Sequence, residues 1–190
     1  MFNLPEKIVL FDTEYTTWEG TKERNWSGPN EYREIVQIGA VLAETENFSE
    51  LDSFSVLIKP RKNPMLSDFF TGLTGIAQET IDKEGVDFPV ALEKFFKWTD
   101  LYQIYSWGGD ADVLEENCGF CGIPFPFERA RFSIIQPVFE TRGIATKNYM
   151  SSTIVRAFGK ELSRSQHNAL NDARTILDGL RELKIATLDF

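Results

Sequence analysis

The chain has 190 residues and its sequence predicts an α/β fold, a mixed five-stranded sheet flanked by helices. Three observations predict it. The first apolar run, Ile8-Val9-Leu10-Phe11, is short and partly β-branched, so it reads as a strand buried on both faces. Two more strand-like runs follow with only the turn-rich Glu44–Asp52 segment between them, the pattern of an antiparallel pair. Beyond these, helical periodicity alternates with short apolar runs, which layers helices against a sheet.

Composition bounds the rest. The apolar fraction is 42% and the charged fraction 26%, as in ordinary soluble globules. A chain of this length buries roughly 70% of its unfolded surface and needs no disulfide staple, so residues 1–190 are expected to form a single domain. No run is long enough to span a bilayer and no apolar h-region follows Met1, so neither a membrane segment nor a signal peptide is expected. Cys118 and Cys121 do not make a disulfide framework, and a reducing, cytoplasmic setting is the expectation. The net charge of −9 argues against a protein that coats nucleic acid by charge alone. It argues less against a nuclease, because bound divalent metals reverse the local field at an acidic site.

The first strand ends near Asp12, and Asp12 and Glu14 stand at i and i+2. Alternate strand residues share a face, so both carboxylates project to the same side. Adjacent carboxylates repel and raise one another's pKa unless a cation lies between them, and hard oxygen ligands suit Mg²⁺ or Mn²⁺. Two solvated surface acids at a strand end are the competing reading. Thr16–Glu31 is a long polar loop directly beyond the acids, and such loops are often functional. Its Trp18 and Trp26 either stack on bases or pin the loop to the body, and packing is the favoured reading.

Further strands are expected at Glu34–Leu42 and Ser53–Ile58, the latter stopped by Pro60. Pro64–Gly75 reads as irregular, and Leu73-Thr74-Gly75-Ile76 reads as leading into a short helix with Thr74 as its cap. A helix over Pro89–Thr99 would carry Leu92, Phe95, Phe96 and Thr99 on one face. The fourth strand, Tyr102–Trp107, runs into Gly108-Gly109 and then a helix over Ala111–Asn117, opened by Asp110, where an acid also suits the helix dipole. Asp112 could serve that same end. A fifth strand is expected at Arg131–Ile135, with helical stretches near Gln136–Arg142 and Ser151–Phe158. The last helix, about Asn168–Lys184, buries Ala169, Ala173, Ile176, Leu180 and Leu183. His167, the single histidine, can face the same site as Asp172 only from the loop before that helix. A lone histidine is more often structural, but this one has the pKa range suited to proton transfer near neutrality.

Taken together these stretches resemble the DEDDh 3′–5′ exonucleases of the ribonuclease-H-like superfamily. Phe11-Asp12-Thr13-Glu14 looks like the first motif, Leu73-Thr74-Gly75-Ile76 like the LTGI segment, and Ser106-Trp107-Gly108-Gly109-Asp110 like the second motif. His167-x-Ala169-x-x-Asp172-Ala173 matches the third. The Ser-Trp-Gly start and the long loop after the first motif look most like the branch of histone-mRNA exonucleases and their bacterial relatives. That branch usually spaces the second-motif aspartate three residues after the glycine. Asp110 stands two after Gly108 and Asp112 four after, and the following Val113-Leu114 favours Asp110.

The resemblance implies a ribonuclease-H-like fold and a two-metal phosphodiesterase using two Mg²⁺ or Mn²⁺ ions. Asp12, Glu14 and Asp172 would hold one ion, and Asp12 with Asp110 the second, roughly 4 Å away. His167 would be the general base. The substrate would be the 3′ end of single-stranded RNA or DNA, the product a nucleoside 5′-monophosphate. A catalytically silent domain of the same fold that binds nucleic acid or a protein partner is the alternative. A zinc or thiol-redox reading of Cys118-x-x-Cys121 lacks the further ligands or the helix-start position it needs, so both cysteines are expected to be structural. The sequence identifies no protein partner and no oligomeric state.

Overall fold

The computed structural model describes residues 4–188. Its elements are β1 (Lys7–Tyr15), β2 (Ile35–Glu44), β3 (Glu50–Leu57), α1 (Asp68–Thr74), α2 (Gln78–Glu84), α3 (Phe88–Trp98), β4 (Gln103–Ser106), α4 (Asp110–Cys121), β5 (Phe132–Ile134), α5 (Gln136–Glu140) and α6 (Ala169–Leu188). The five strands form one sheet in the order β3-β2-β1-β4-β5. β1 pairs antiparallel with β2 and parallel with β4. β2 pairs antiparallel with β3, and β4 parallel with β5. The sheet is therefore mixed and five-stranded, as expected.

β1 lies at the centre and its alternation divides the core. Val9 and Phe11 pack on one face with Leu92 and Phe95 of α3 and Leu114 and Cys118 of α4. Ile8 and Leu10 pack on the other with Ala173, Ile176, Leu180 and Leu183 of α6. The apolar run of β1 is explained by burial on both sides. Because β1 and β4 run parallel, their carboxyl ends lie at the same sheet edge, with the N-terminal turn of α4 directly beyond β4. Ligand sites in open α/β sheets lie beyond such ends.

Several expectations need correction. Pro64–Gly75 is not irregular throughout, since α1 occupies Asp68–Thr74. Ser67 caps it, its hydroxyl accepting from the Phe70 N–H at 3.0 Å. Leu73-Thr74-Gly75-Ile76 does lead into a short helix, α2 from Gln78, but Thr74 is not its cap: the segment also ends α1, Gly75 at φ +73° closing it and Thr74 being its last residue, with its hydroxyl donating to the Phe70 carbonyl. A left-handed closing residue is the ordinary use of glycine. In α3, Leu92, Phe95 and Thr99 are buried but Phe96 is partly exposed, resting edge-on against Phe127. Ser151–Phe158 forms a 3₁₀ helix, not an α-helix. α4 extends to Cys121, and α6 runs a turn past Lys184. Among the described residues no helix is long and apolar enough to cross a membrane.

Candidate active site

Strand parity builds the site. Asp12 and Glu14 continue the even-numbered face of β1, the face that carries Ile8 and Leu10 against α6. Asp172 lies in the first turn of α6 on that face, and all three carboxylates are buried. What lets the helix come so close is Gly39, which pairs with Asp12 across β1 and β2. A Cβ at Gly39 would stand 2.0 Å from the Leu170 backbone nitrogen, so only glycine admits the α6 terminus here. Gln37 holds that terminus down, its Oε1 accepting from the Ala169 N–H at 3.0 Å, while Asn168 Oδ1 caps the Asn171 N–H at 3.2 Å.

Thr13 has the opposite parity and serves the opposite helix. Its N–H and its hydroxyl both donate to Asp110 Oδ1, at 3.1 and 2.7 Å. Asp110 is buried at the N-terminus of α4, beside the other acids. Asp112, two residues on in the same first turn, is exposed and pairs with Arg129. Geometry therefore separates the two candidates for the second motif, and only Asp110 lines the cleft.

His167 precedes α6 in the loop, as its spacing with Asp172 requires, and has a left-handed backbone at φ +56°. That conformation costs a non-glycine residue roughly 1–2 kcal/mol. It is half-buried, and one ligand-type atom from each of Glu14, His167 and Asp172 lies within 4.8 Å of the others.

The acids are strained electrostatically. Burial and then the charges of Asp110, Glu14 and Asp172 raise Asp12 well above the ordinary carboxylate range, with a hydrogen bond from Ser151 acting against them. Burial, Asp172 and Asp110 push Glu14 up to about 8. Burial, opposed by the His167 backbone N–H, pushes Asp172 up to about 7. Burial raises Asp110 too, against the hydrogen bonds from Thr13. Asp172 Oδ1 is buried without a hydrogen-bond partner among the described residues. Crowded, desolvated carboxylates with an orphaned oxygen fit a divalent cation, which would satisfy the oxygen and reverse the repulsion. His167 moves the other way: burial, then the charge of Lys22, lowers its pKa and keeps the ring neutral near pH 7.

These residues line a cleft of about 900 Å³. The loop after β1 forms one wall and Phe69 and Leu73 of α1 stand on another. Trp26 is a pin: its Nε1 donates to the Thr16 carbonyl at 3.1 Å and its ring meets Tyr15 edge-on. Trp18 lines the cleft, half-exposed. Cys118 is buried and Cys121 partly so, both unbridged and both pushed above the usual thiol range by burial, as inert structural cysteines are.

The five side chains singled out from the sequence line one cleft; sequence reasoning missed the residues that support them, Thr13, Gln37, Gly39 and Ser151. Gly39 carried a signal, being a glycine in the middle of a strand, which marks close backbone approach.

The exonuclease family model, RNase_T, matches residues 9–180. The chain is 29% identical over 191 residues to ERI1 exoribonuclease 2 of Mus musculus, a match covering 88% of this chain and 27% of that protein. It is 26% identical over 178 residues to the probable 3′-5′ exonuclease KapD of Bacillus subtilis (strain 168), covering 88% and 80%. The chain thus spans about a quarter of the curated relative it matches first, and most of KapD. Among solved structures, the nuclease domain of 3′hExo, described as a DEDDh family member bound to rAMP, superposes with a TM-score of 0.75 at 22% identity, covering all of this chain and 94% of that one. At that identity the likeness is one of fold, and the fold is ribonuclease-H-like. Since the family model runs from β1 into α6, over most of the chain and all five candidate positions, the chain belongs to the exonuclease family.

Proposed function

We propose that this protein is a metal-dependent 3′–5′ exonuclease that shortens single-stranded RNA or DNA one nucleotide at a time. The observation that carries the reading is the convergence of Asp12, Glu14, Asp110 and Asp172, delivered by β1, α4 and α6, beside a neutral His167 in one cleft. Family membership supports the same reading, and a catalytically silent domain would have no need to keep four mutually repelling buried acids.

Asp12, Glu14 and Asp172 would hold one Mg²⁺ or Mn²⁺, and Asp12 with Asp110 a second. Bound there, such ions supply a more acidic water and counter-charge for a departing oxygen. Thr13 holds the Asp110 carboxylate in place through two hydrogen bonds to its Oδ1. The neutral imidazole of His167 accepts the proton of the attacking water. The new P–O bond forms as the bond to the 3′ oxygen breaks, giving a nucleoside 5′-monophosphate and a strand with a fresh 3′ hydroxyl. Phe69 and Leu73, an exposed i, i+4 pair on α1, offer apolar surface to unpaired bases. The printed names of several relatives, exoribonucleases, support RNA as the first substrate to test.

The experiment is digestion of a 5′-labelled single strand with Mg²⁺ or Mn²⁺, with a free or bulky-blocked 3′ end, and again with EDTA. Stepwise shortening that the block and EDTA both stop is expected. Release of internal fragments would make the enzyme an endonuclease.

A further inference from the structure

The loop between β1 and β2 is held in one shape by bonds that do not involve the reactive acids. Thr21 is 1% exposed and is the hub. Its hydroxyl donates to the Trp18 carbonyl at 2.7 Å, lies 2.6 Å from the Thr17 hydroxyl, and is within reach of the Trp18 N–H at 3.2 Å. The Trp26 N–H donates to the Thr21 carbonyl at 2.9 Å. Ser67, the cap of α1, donates its hydroxyl to the Thr17 carbonyl at 2.5 Å, joining the loop to the helix across the cleft. Trp18 and Lys22 flank this hub, and both line the cleft.

The two tryptophans differ. Trp26 is bonded and packed, whereas Trp18 is partly buried and lines the cleft with no aromatic or cationic partner among the described residues. The cations differ in the same way. Arg24 is paired with Glu31, and Arg33, which also lines the cleft, is paired with Glu116 at 2.7 Å. Lys22 has no ion pair among the described residues, and its charge reaches His167. Glu19 and Glu23 line the same wall, so Lys22 is the one unpaired cation on a face that is otherwise acidic. A chain of net charge −9 needs such a group to hold a polyanion.

We infer that this loop is a clamp for the substrate strand: Lys22 takes a backbone phosphate and Trp18 stacks on a neighbouring base, with Thr21 fixing the distance between them. The inference rests on the exonuclease reading and adds a binding surface separate from the metal-type ligands. Stacking and a phosphate contact without base-edge hydrogen bonds make a sequence-tolerant site for single strands.

The test compares wild type with Trp18→Ala, Lys22→Ala and Lys22→Arg on a single-stranded oligonucleotide. Trp18→Ala should raise KM about tenfold or more, the usual loss for one base–aromatic stack. Lys22→Ala should raise KM and flatten the dependence of log KM on log salt by ~0.7, the counterion share of one phosphate on a single strand. Lys22→Arg should restore that slope. A second readout avoids turnover: in EDTA, binding of the oligonucleotide should quench tryptophan fluorescence in wild type and less in Trp18→Phe. If wild type trims the strand while both alanine variants keep its KM and salt slope, the clamp is overturned and the exonuclease reading stands. If wild type does not trim the strand at all, that reading fails, and the EDTA quenching alone then decides whether the loop binds single strands.

Discussion

At the scale of single residues, the site consists of groups held against their own preference. In the absence of metal, Glu14 titrates near 8 and Asp172 near 7, both raised by burial first. A carboxyl raised in the folded state stabilises it fully below the unfolded pKa, near 4, and that contribution is lost as pH rises through the folded value. Metal-free protein should therefore melt at progressively lower temperature from about pH 4.5 to 8, and Glu14→Gln should flatten that decline. Calorimetric melting at several pH values in EDTA decides it, and a Tm that rises over this window would mean the acids are stabilised by unseen partners. The second-motif ambiguity is settled kinetically. Asp110→Asn should lose most activity, whereas Asp112→Asn breaks only an exposed pair with Arg129, worth about 1 kcal/mol or less, and should turn over nearly normally. His167→Ala should lower kcat about 10²–10⁴-fold. With metal saturating, wild-type rate should rise with pH through a histidine pKa below 6.5 and then level, because the neutral ring is the active form. A profile in His167→Ala that keeps the same rise would assign it to another group. The reactive residues were legible because their types and spacings are chemical statements. The left-handed backbone of His167 was not, since nothing local signals it.

At the scale of elements, the strands were read nearly as they stand, because alternation and β-branching reflect burial that is settled locally. Errors gathered at helix ends. Leu73-Thr74-Gly75-Ile76 leads into α2 as its pattern suggests, but Thr74 closes α1 instead of capping α2, and Gly75 in the left-handed region marks that stop. Ser151–Phe158 has the periodicity of a helix but winds as 3₁₀, with Ile154 packed against α6 and Ser151 hydrogen-bonded to Asp12. The element contact on which the site most depends is α6 on β2. Gly39→Ala puts a methyl group into the Leu170 backbone, which has no rotamer to escape by. The expected cost is about 1–3 kcal/mol or more of stability, with activity lost as Asp172 moves. Denaturant unfolding and a rate on the same sample check it; unchanged midpoint and rate would mean that α6 has slack.

At the scale of the molecule, what the sequence withheld was the pairing of distant segments. Thr13 meets Asp110 across 97 residues and Gln37 meets Ala169 across 132. Such contacts follow from sheet order and from which face each helix covers, neither of which a local pattern encodes. The resemblance to a known family supplied that arrangement in outline, and the parity of β1 explains it: even residues feed the α6 face and Thr13 feeds the α4 face. The whole chain is acidic, and six of its carboxyl side chains line the cleft where a cation would be bound.

The most direct test of that account is titration of Mn²⁺ into the metal-free protein by calorimetry, in buffers of differing ionisation enthalpy, so that proton release is counted. Ligands must lose their protons to bind metal. Because burial raises Glu14 to about 8 and Asp172 to about 7, binding at pH 6.5 should release protons, and release should diminish as pH rises. Asp172→Asn should weaken binding, while His167→Ala should retain it. Binding without proton release at pH 6.5, or loss of binding in His167→Ala, would contradict a centre in which carboxylates hold the metal and the histidine handles the proton.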